Sequence, residues 1–559
     1  MMHDGPIAGI AAYGDFIATA GYDNKLILWN QATRKAIARG THDHLVNSCS
    51  FSHDGRWLVS ASSDYSARIW SLPDMRLHAV LNDHQDDVDM AVFSPDDQWI
   101  ATCALDRKVR VFNLQAQCVQ IFSGHTGNVL ALAWSADNKY IVSTSVDGTI
   151  RTWDRVSGLE IQKTDLKVRT DSLEIDSDGV IYAGDDLGRI AIISGEDIQF
   201  IQAHRAGIKK VAFNSETKTL VCLSYDRTMS IWDVSSGIPL HSQTTDLPDQ
   251  VWARAATVLA NGMVATGSFG STYALFDPQT QSWDLDKVTA GHGLNDVITA
   301  YGQVYAIGDA GKVLQNGKPV AELGSLCNFL LATPERLVSG GQAGTLFDAK
   351  TADVLYEHHS PLNCGVYFET QSRQCMAIGT YTGEILVFEL TQGALPALAH
   401  SLKVYDNAIK GLSFSNGLLF SVCASTDIAW HQVSDWSLVK RISHAHDKIA
   451  NDCCAIGEDH VATVSRDRTL RIWAHNKTEI YPAPHPKSIK CIAVDDEKSH
   501  VLTGCYGGTL AMFCLKTRKW TQTERPTMSG ISAIHWDSQN QQFLASSYDG
   551  CIYPMAVSA

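Results

Sequence analysis

The chain has no run of 18 apolar residues, no cluster of lysine and arginine, and no linear motif of a common catalytic site. Each absence narrows the reading. Without such a run, no membrane-spanning helix is expected. The opening residues, "MMHDGPIAGIAAYGDF", put no basic region ahead of the apolar ones and carry Asp4 and Asp15, so neither a signal peptide nor a transit peptide is expected. A net charge of −15 argues against nucleic acid or an anionic membrane as the main partner, because phosphate binding needs clustered cations. There is no GxGxxG after a strand, no P-loop, no HExxH, no CxxC pair and no GxSxG elbow. "GDAGK" (308–312) lacks the spacing and hydroxyl of a phosphate loop and reads as a strand turn. No cofactor is implied by motif. Catalysis stays open, because loops from several repeats can assemble a site that leaves no linear trace.

Proline is sparse, at 15 of 559 residues, and no low-complexity tract or Gly/Ser-rich linker appears, so little disorder is expected. The 14 cysteines, in a chain without an export signal, read as reduced thiols and a cytoplasmic location. Most fall in strand-like text (Cys49, Cys103, Cys222, Cys423, Cys505), where free cysteine is a small core residue.

What the chain does have is a repeat. An aspartate is followed six residues later by an aromatic in Asp23/Trp29, Asp64/Trp70, Asp106/Phe112, Asp147/Trp153, Asp226/Trp232 and Asp467/Trp473. Four of these aspartates have a histidine 22 residues upstream, at His42, His84, His125 and His204. Between marks the text alternates as a sheet does: "KYIVSTSVDGTIRTWD" (139–154) places apolar residues at every second position and breaks at an Asp-Gly turn. The period is that of a four-stranded propeller blade. Counting the strand-closing residue gives about 14 blades, which divide into two rings of seven, 1–290 and 291–559, the second more divergent. The last blade ends in a third strand (551–557) and is expected to lack its outer strand.

Blade four, "SGHTGNVLALAWSADNKYIVSTSVDGTIRTWD", resembles the WD40 family. The resemblance implies an all-β fold of tandem seven-bladed propellers. It also implies a hydrogen-bonded chain of His125, Ser143, Asp147 and Trp153, with His42, Ser60, Asp64 and Trp70 in blade two. Blade three has Thr102 and replaces the tryptophan with Phe112, so its chain is one bond shorter. These residues are read as structural, satisfying buried polar groups.

Two constellations are candidates for function. The residue just before the turn aspartate, or before its replacement, is expected at the rim of the face where the family binds partners. Here it is Tyr22, Tyr225, Phe269, Tyr381, Arg466, Tyr506 and Tyr548. Tyrosine and arginine bring large contact area with few rotors and a polar tip, and are enriched at binding hot spots. The plainer alternative is that these aromatics pack over neighbouring turns. The second constellation is a weaker metal candidate, His444, His446, Cys453 and Cys454, because imidazole and thiolate suit zinc or iron. Sheet alternation argues against it by sending the vicinal cysteines to opposite faces.

The expected partners are therefore proteins on the propeller faces or a small flat heterocycle. The opening "MMHDGPIAGIAAYGDFIATAGYDNKLILWN", with "GTHDHLVNSCSF" and "SSDYSARIW", also resembles the WD-repeat proteins encoded with toxoflavin biosynthesis. That resemblance implies a pathway scaffold for an azapteridine, or alternatively a pathway enzyme that binds a pyrimidine or azapteridine intermediate in the second ring. A general interaction scaffold is the remaining alternative. The two-ring plan resembles actin-interacting double propellers in architecture only.

Overall fold

The computed structural model describes residues 2–289, 291–370, 373–458, 460–474 and 477–557. The expected all-β fold is observed: the described residues form strands and turns, and no helix among them is long and apolar enough to cross a membrane. They build thirteen four-stranded antiparallel sheets and one three-stranded sheet, each a meander of sequential strands. Blade 4 is representative, with strands a to d at Val129–Trp134, Tyr140–Ser145, Thr149–Asp154 and Glu160–Asp165. The three-stranded sheet is the last, with Ile531–Asp537, Gln542–Ser547 and Ile552–Ala556 as its strands among the described residues.

The turn aspartate explains the hairpin between strands b and c. Its Oδ1 accepts the backbone N–H two residues on, as in Asp64 to Ser66 at 3.0 Å, Asp147 to Thr149 at 2.9 Å and Asp467 to Thr469 at 2.9 Å. The residue between adopts the left-handed region at Tyr65 (φ 71°), Gly148 (φ 77°) and Arg468 (φ 62°).

Two compact units, Met1–Gly291 and His292–Ala559, hold seven sheets each. Within each unit, strand a of every blade lies beside strand a of the next. In the first unit Ile7–Tyr13 also meets Val251–Val258; in the second Leu294–Ala300 meets Ile531–Asp537. Both circles of inner strands therefore close. The core lies between blades, because a sheet buried on both faces must share each face with a neighbour. The first circle is sealed by a cluster that includes Ile17, Trp29, Tyr273 and Leu275. The second is sealed by a smaller cluster of Leu294, Val297, Ala306 and Leu544, and by a bond between Thr299 Oγ1 and His535 Nε2 at 2.9 Å.

One irregularity repeats around both circles. Pairing between strands a and b skips the residue after the first of strand a, as at Asn47, Asp171, Lys209, Asn295, Lys410 and Lys490. In blade 7 the skip extends over 252–255. Such a bulge re-aims a side chain without ending the strand.

Candidate functional site

The buried polar chains come first, because they fix the loops that carry everything else. In blade 4 His125 Nδ1 lies 3.0 Å from Asp147 Oδ2 and His125 Nε2 lies 2.9 Å from Ser143 Oγ, which also accepts the Trp153 indole N–H at 2.9 Å. Blade 2 repeats this with His42, Ser60, Asp64 and Trp70. Blade 3 stops at Thr102, as its phenylalanine requires. An ionised aspartate only accepts, so Nδ1 carries the proton and Nε2 accepts from the hydroxyl. Burial outweighs the aspartate and pushes His42, His84 and His446 below the ordinary imidazole range, which keeps them neutral.

Two chains were not legible at the 22-residue spacing. His3 pairs with Asp23 and Thr19, and His446 with Asp467 and Thr463, because their loops are one or two residues shorter. In blade 6 the strand-b position is Cys222, and His204 turns to Ser230 on strand c at 2.8 Å.

Each blade then presents two residues at the mouth of its ring. One directly follows strand b, and its N–H donates to the carbonyl just ahead of strand a. This holds at Tyr22, Tyr225, Phe269, Tyr381, Arg466, Tyr506 and Tyr548, the seven rim candidates. The same bond places Asp186 in blade 5 and Asp309 in blade 8 at this position. Neither stands among the sequence candidates, because the rim was recognised by its aromatic and arginine residues and these two are aspartates. The other mouth residue is the bulge residue of strand a, which only the pairing register reveals.

In the first ring these positions satisfy one another. Tyr22 meets Trp252 edge-on at 5.1 Å, and Trp252 lies 5.5 Å from Phe269. Arg169 Nε bonds Asp171 at 2.6 Å, and Lys209 bridges Asp171, at 2.9 Å, and Asp186. Lys209 Nζ also lies 5.0 Å from the centre of the Tyr225 ring. Burial would raise the Asp171 carboxyl, but Arg169 and Lys209 hold it well below the carboxylate range.

The second ring is arranged differently. Burial pushes the Tyr548 phenol well up, and Tyr506, Asp309, Cys491 and Tyr381 add to the shift. Tyr381 stands three blades from Tyr548 around the circle. Gly530 makes room: a Cβ there would come within 3.0 Å of Tyr548 Cδ2. Lys410 Nζ lies 5.9 Å from the Tyr381 ring centre, and the Arg466 guanidinium lies 5.9 Å from that of Tyr506. Asp309 takes an amide bond from Asn295 at 3.0 Å, and burial still pushes its carboxyl up to about 7. Beneath it, burial pushes Asp296 up to about 7 and Asp452 up to about 6. These two accept N–H groups of the neighbouring inner strands, from Leu330 at 2.7 Å and Ile492 at 3.0 Å. Burial raises the thiol of Cys364 to about 12 and that of Cys491 well above the ordinary range, so neither is an activated nucleophile. The mouth offers aromatic faces, three cations and carboxyls close to neutrality, which suits recognition.

The four metal candidates are not brought together. His446 is engaged by Asp467 and Thr463, while His444 is exposed and its N–H donates to Asp427. Cys453 packs with Phe420 and Trp473, whereas Cys454 faces the cluster of Ile456 and Ile492 on the other side of the sheet. Strand alternation separates them, as the sequence argument held.

A family model described as "WD domain, G-beta repeat" matches residues 36–71, 75–113, 116–154 and 195–233, all within the first unit. The chain is 30% identical over 218 residues to "Periodic tryptophan protein 2" of Arabidopsis thaliana, covering 38% of this chain and 20% of that protein. It is 27% identical over 244 residues to "Serine-threonine kinase receptor-associated protein" of Gallus gallus, covering 43% of this chain and 58% of that protein. It is 31% identical over 159 residues to "CCR4-associated factor 4 homolog" of Candida glabrata, covering 28% of this chain and 22% of that protein. The matches thus span between a fifth and three fifths of these relatives' own length.

Proposed function

We propose, from the WD40 repeats this chain carries, that it is an interaction scaffold gripping a protein segment at the axial mouth of its second ring. The observation behind this reading is that Tyr506 and Tyr548 both flank Gly530, with the Arg466 guanidinium 5.9 Å from the Tyr506 ring centre and Lys410 Nζ 5.9 Å from that of Tyr381. Aromatic and arginine anchors in an enclosed mouth are the residues that dominate binding energy at protein interfaces. Lys410 lies on blade 11, Arg466 on blade 12 and Asp309 on blade 8, so a segment carrying both charges matches the mouth. In the first ring, ion pairs among Arg169, Lys209, Asp171 and Asp186 occupy the equivalent positions. The cysteines are free thiols, which suits a reducing compartment such as the cytosol.

The test compares the wild-type chain with a Tyr381→Ala/Tyr506→Ala variant as bait in lysate of the source organism, with quantitative mass spectrometry. A partner retained by the wild type and lost by a variant of equal melting temperature supports the reading. Equal retention by both chains removes it.

The tyrosine platform also favours a second occupant, a flat heterocycle stacked at the same mouth. This is the narrower form of the proposal, in which the chain serves an azapteridine pathway as scaffold or enzyme, as the resemblance of its opening residues implies. Native mass spectrometry with pyrimidine and azapteridine intermediates separates the two. A stoichiometric adduct lost in the same variant favours the heterocycle, and a clean protein mass favours the segment.

A further inference from the structure

Blade 10 has lost the buried polar chain and gained a different donor set in its place. In the blades with complete chains, the histidine four residues before strand a bonds the turn aspartate and a strand-b hydroxyl. His358 holds that position ahead of Leu362–Glu369. Its two partners are gone. Thr382, preceding Gly383 at φ 84°, replaces the aspartate, and Ile378, four residues earlier, replaces the hydroxyl residue. In their stead His358 Nε2 lies 3.5 Å from Glu384 Oε2, on the residue equivalent to Thr149 of blade 4. A second histidine, His359, sets its ring centre 4.1 Å from that of His358.

We propose that His358, His359 and Glu384 form a binding site for a zinc-type divalent ion. Their ligand atoms all lie within 4.8 Å of one another. Tetrahedral zinc, with bonds of about 2.0–2.2 Å, spaces its N and O ligands about 3.3–3.6 Å apart, the separation already present between His358 and Glu384. The second shell fits as well. His358 Nδ1 lies 3.2 Å from both the carbonyl oxygen and the N–H of Ser360, and donating to the carbonyl leaves the Nε2 lone pair for a metal. Glu384 accepts the Thr382 hydroxyl at 2.8 Å, which orients its carboxylate. All three residues are partly exposed, so an ion can enter from solvent. Lys403, which donates to the Thr382 carbonyl at 2.7 Å, places a cation near the carboxylate and moderates affinity. Two imidazoles and a carboxylate leave a fourth position for water or for a donor from a partner.

The experiment uses the untagged full chain, stripped with chelator and titrated with Zn2+ by calorimetry, with metal content checked by elemental analysis. One Zn2+ per chain is expected, with affinity weakened by about tenfold or more in both His359→Ala and Glu384→Gln. His444→Ala, at an exposed histidine elsewhere in the same ring, should bind as the wild type does. Glu384→Gln also removes a partner of His358 and can destabilise blade 10. His359→Ala therefore decides the matter if that variant fails to fold, read by loss of the visible absorption of tetrahedral Co2+. Absence of binding, or binding unchanged in His359→Ala, overturns the site.

Discussion

Ser143 Oγ lies 2.9 Å from His125 Nε2 and accepts the Trp153 indole N–H at the same distance, so one hydroxyl satisfies two buried groups. Thr102 in blade 3 serves one, because Phe112 has nothing to donate.

The two positions should differ in cost when the hydroxyl is removed. Ser143→Ala strands both a histidine nitrogen and an indole N–H, an expected loss of about 2–4 kcal/mol. Thr102→Val strands one nitrogen and keeps the volume, an expected loss of about 1–2 kcal/mol. Urea unfolding of the two variants measures the difference. Equal losses would show that the indole bond contributes nothing.

Acid should weaken the fold in two stages. His42, His84 and His446 have native values below the ordinary 6.5, so the unfolded chain binds more protons and their contribution is lost as pH falls below about 6.5. Asp106 is held down at about 2 against the effect of burial, chiefly by His84, so its contribution is lost as pH falls from the ordinary 3.8 to about 2. Calorimetric melting temperatures from pH 8 to 3 should show both limbs. Asp106→Asn should lower stability at pH 7 and shrink the limb below pH 4; an unchanged limb would contradict the pairing.

Asp309 works in the opposite sense. Its native value of about 7 lies above the ordinary 3.8, so the folded state binds more protons and ionisation costs stability as pH rises through that window. Asp309→Asn keeps an acceptor for Asn295 and removes the cost. The expected gain is about 1 kcal/mol at pH 8, allowing for the water that reaches this half-buried group, and none at pH 4. A loss of stability at pH 8 would mean that a cation already pairs with the carboxyl.

Much of this was readable from local chemistry. An aspartate that caps its own turn, a left-handed residue after it and a two-residue apolar alternation are properties of short segments. They gave the blade, its period and most of the buried chains. His3 escaped because its loop is shorter than the 22-residue spacing of the others, and Asp186 and Asp309 escaped because the rim candidates were aromatic or arginine residues and these are aspartates.

The sequence by itself determined that strands would repeat about every 40 residues and that each sheet would need neighbours on both faces. Only the tertiary structure decided which residues meet. Closing a circle of inner strands brings Thr299 against His535 although 236 positions separate them in the chain. The bulge that presents Lys410 and Lys490 belongs to the pairing register of two strands. Residue type does not encode it, because the same position holds asparagine, aspartate or lysine in other blades. Blade 10 shows the same division: "EHHSPL" and "TYTGEI" (357–362 and 380–385) are ordinary as text. His358, His359 and Glu384 became neighbours when strand pairing carried one loop over the other.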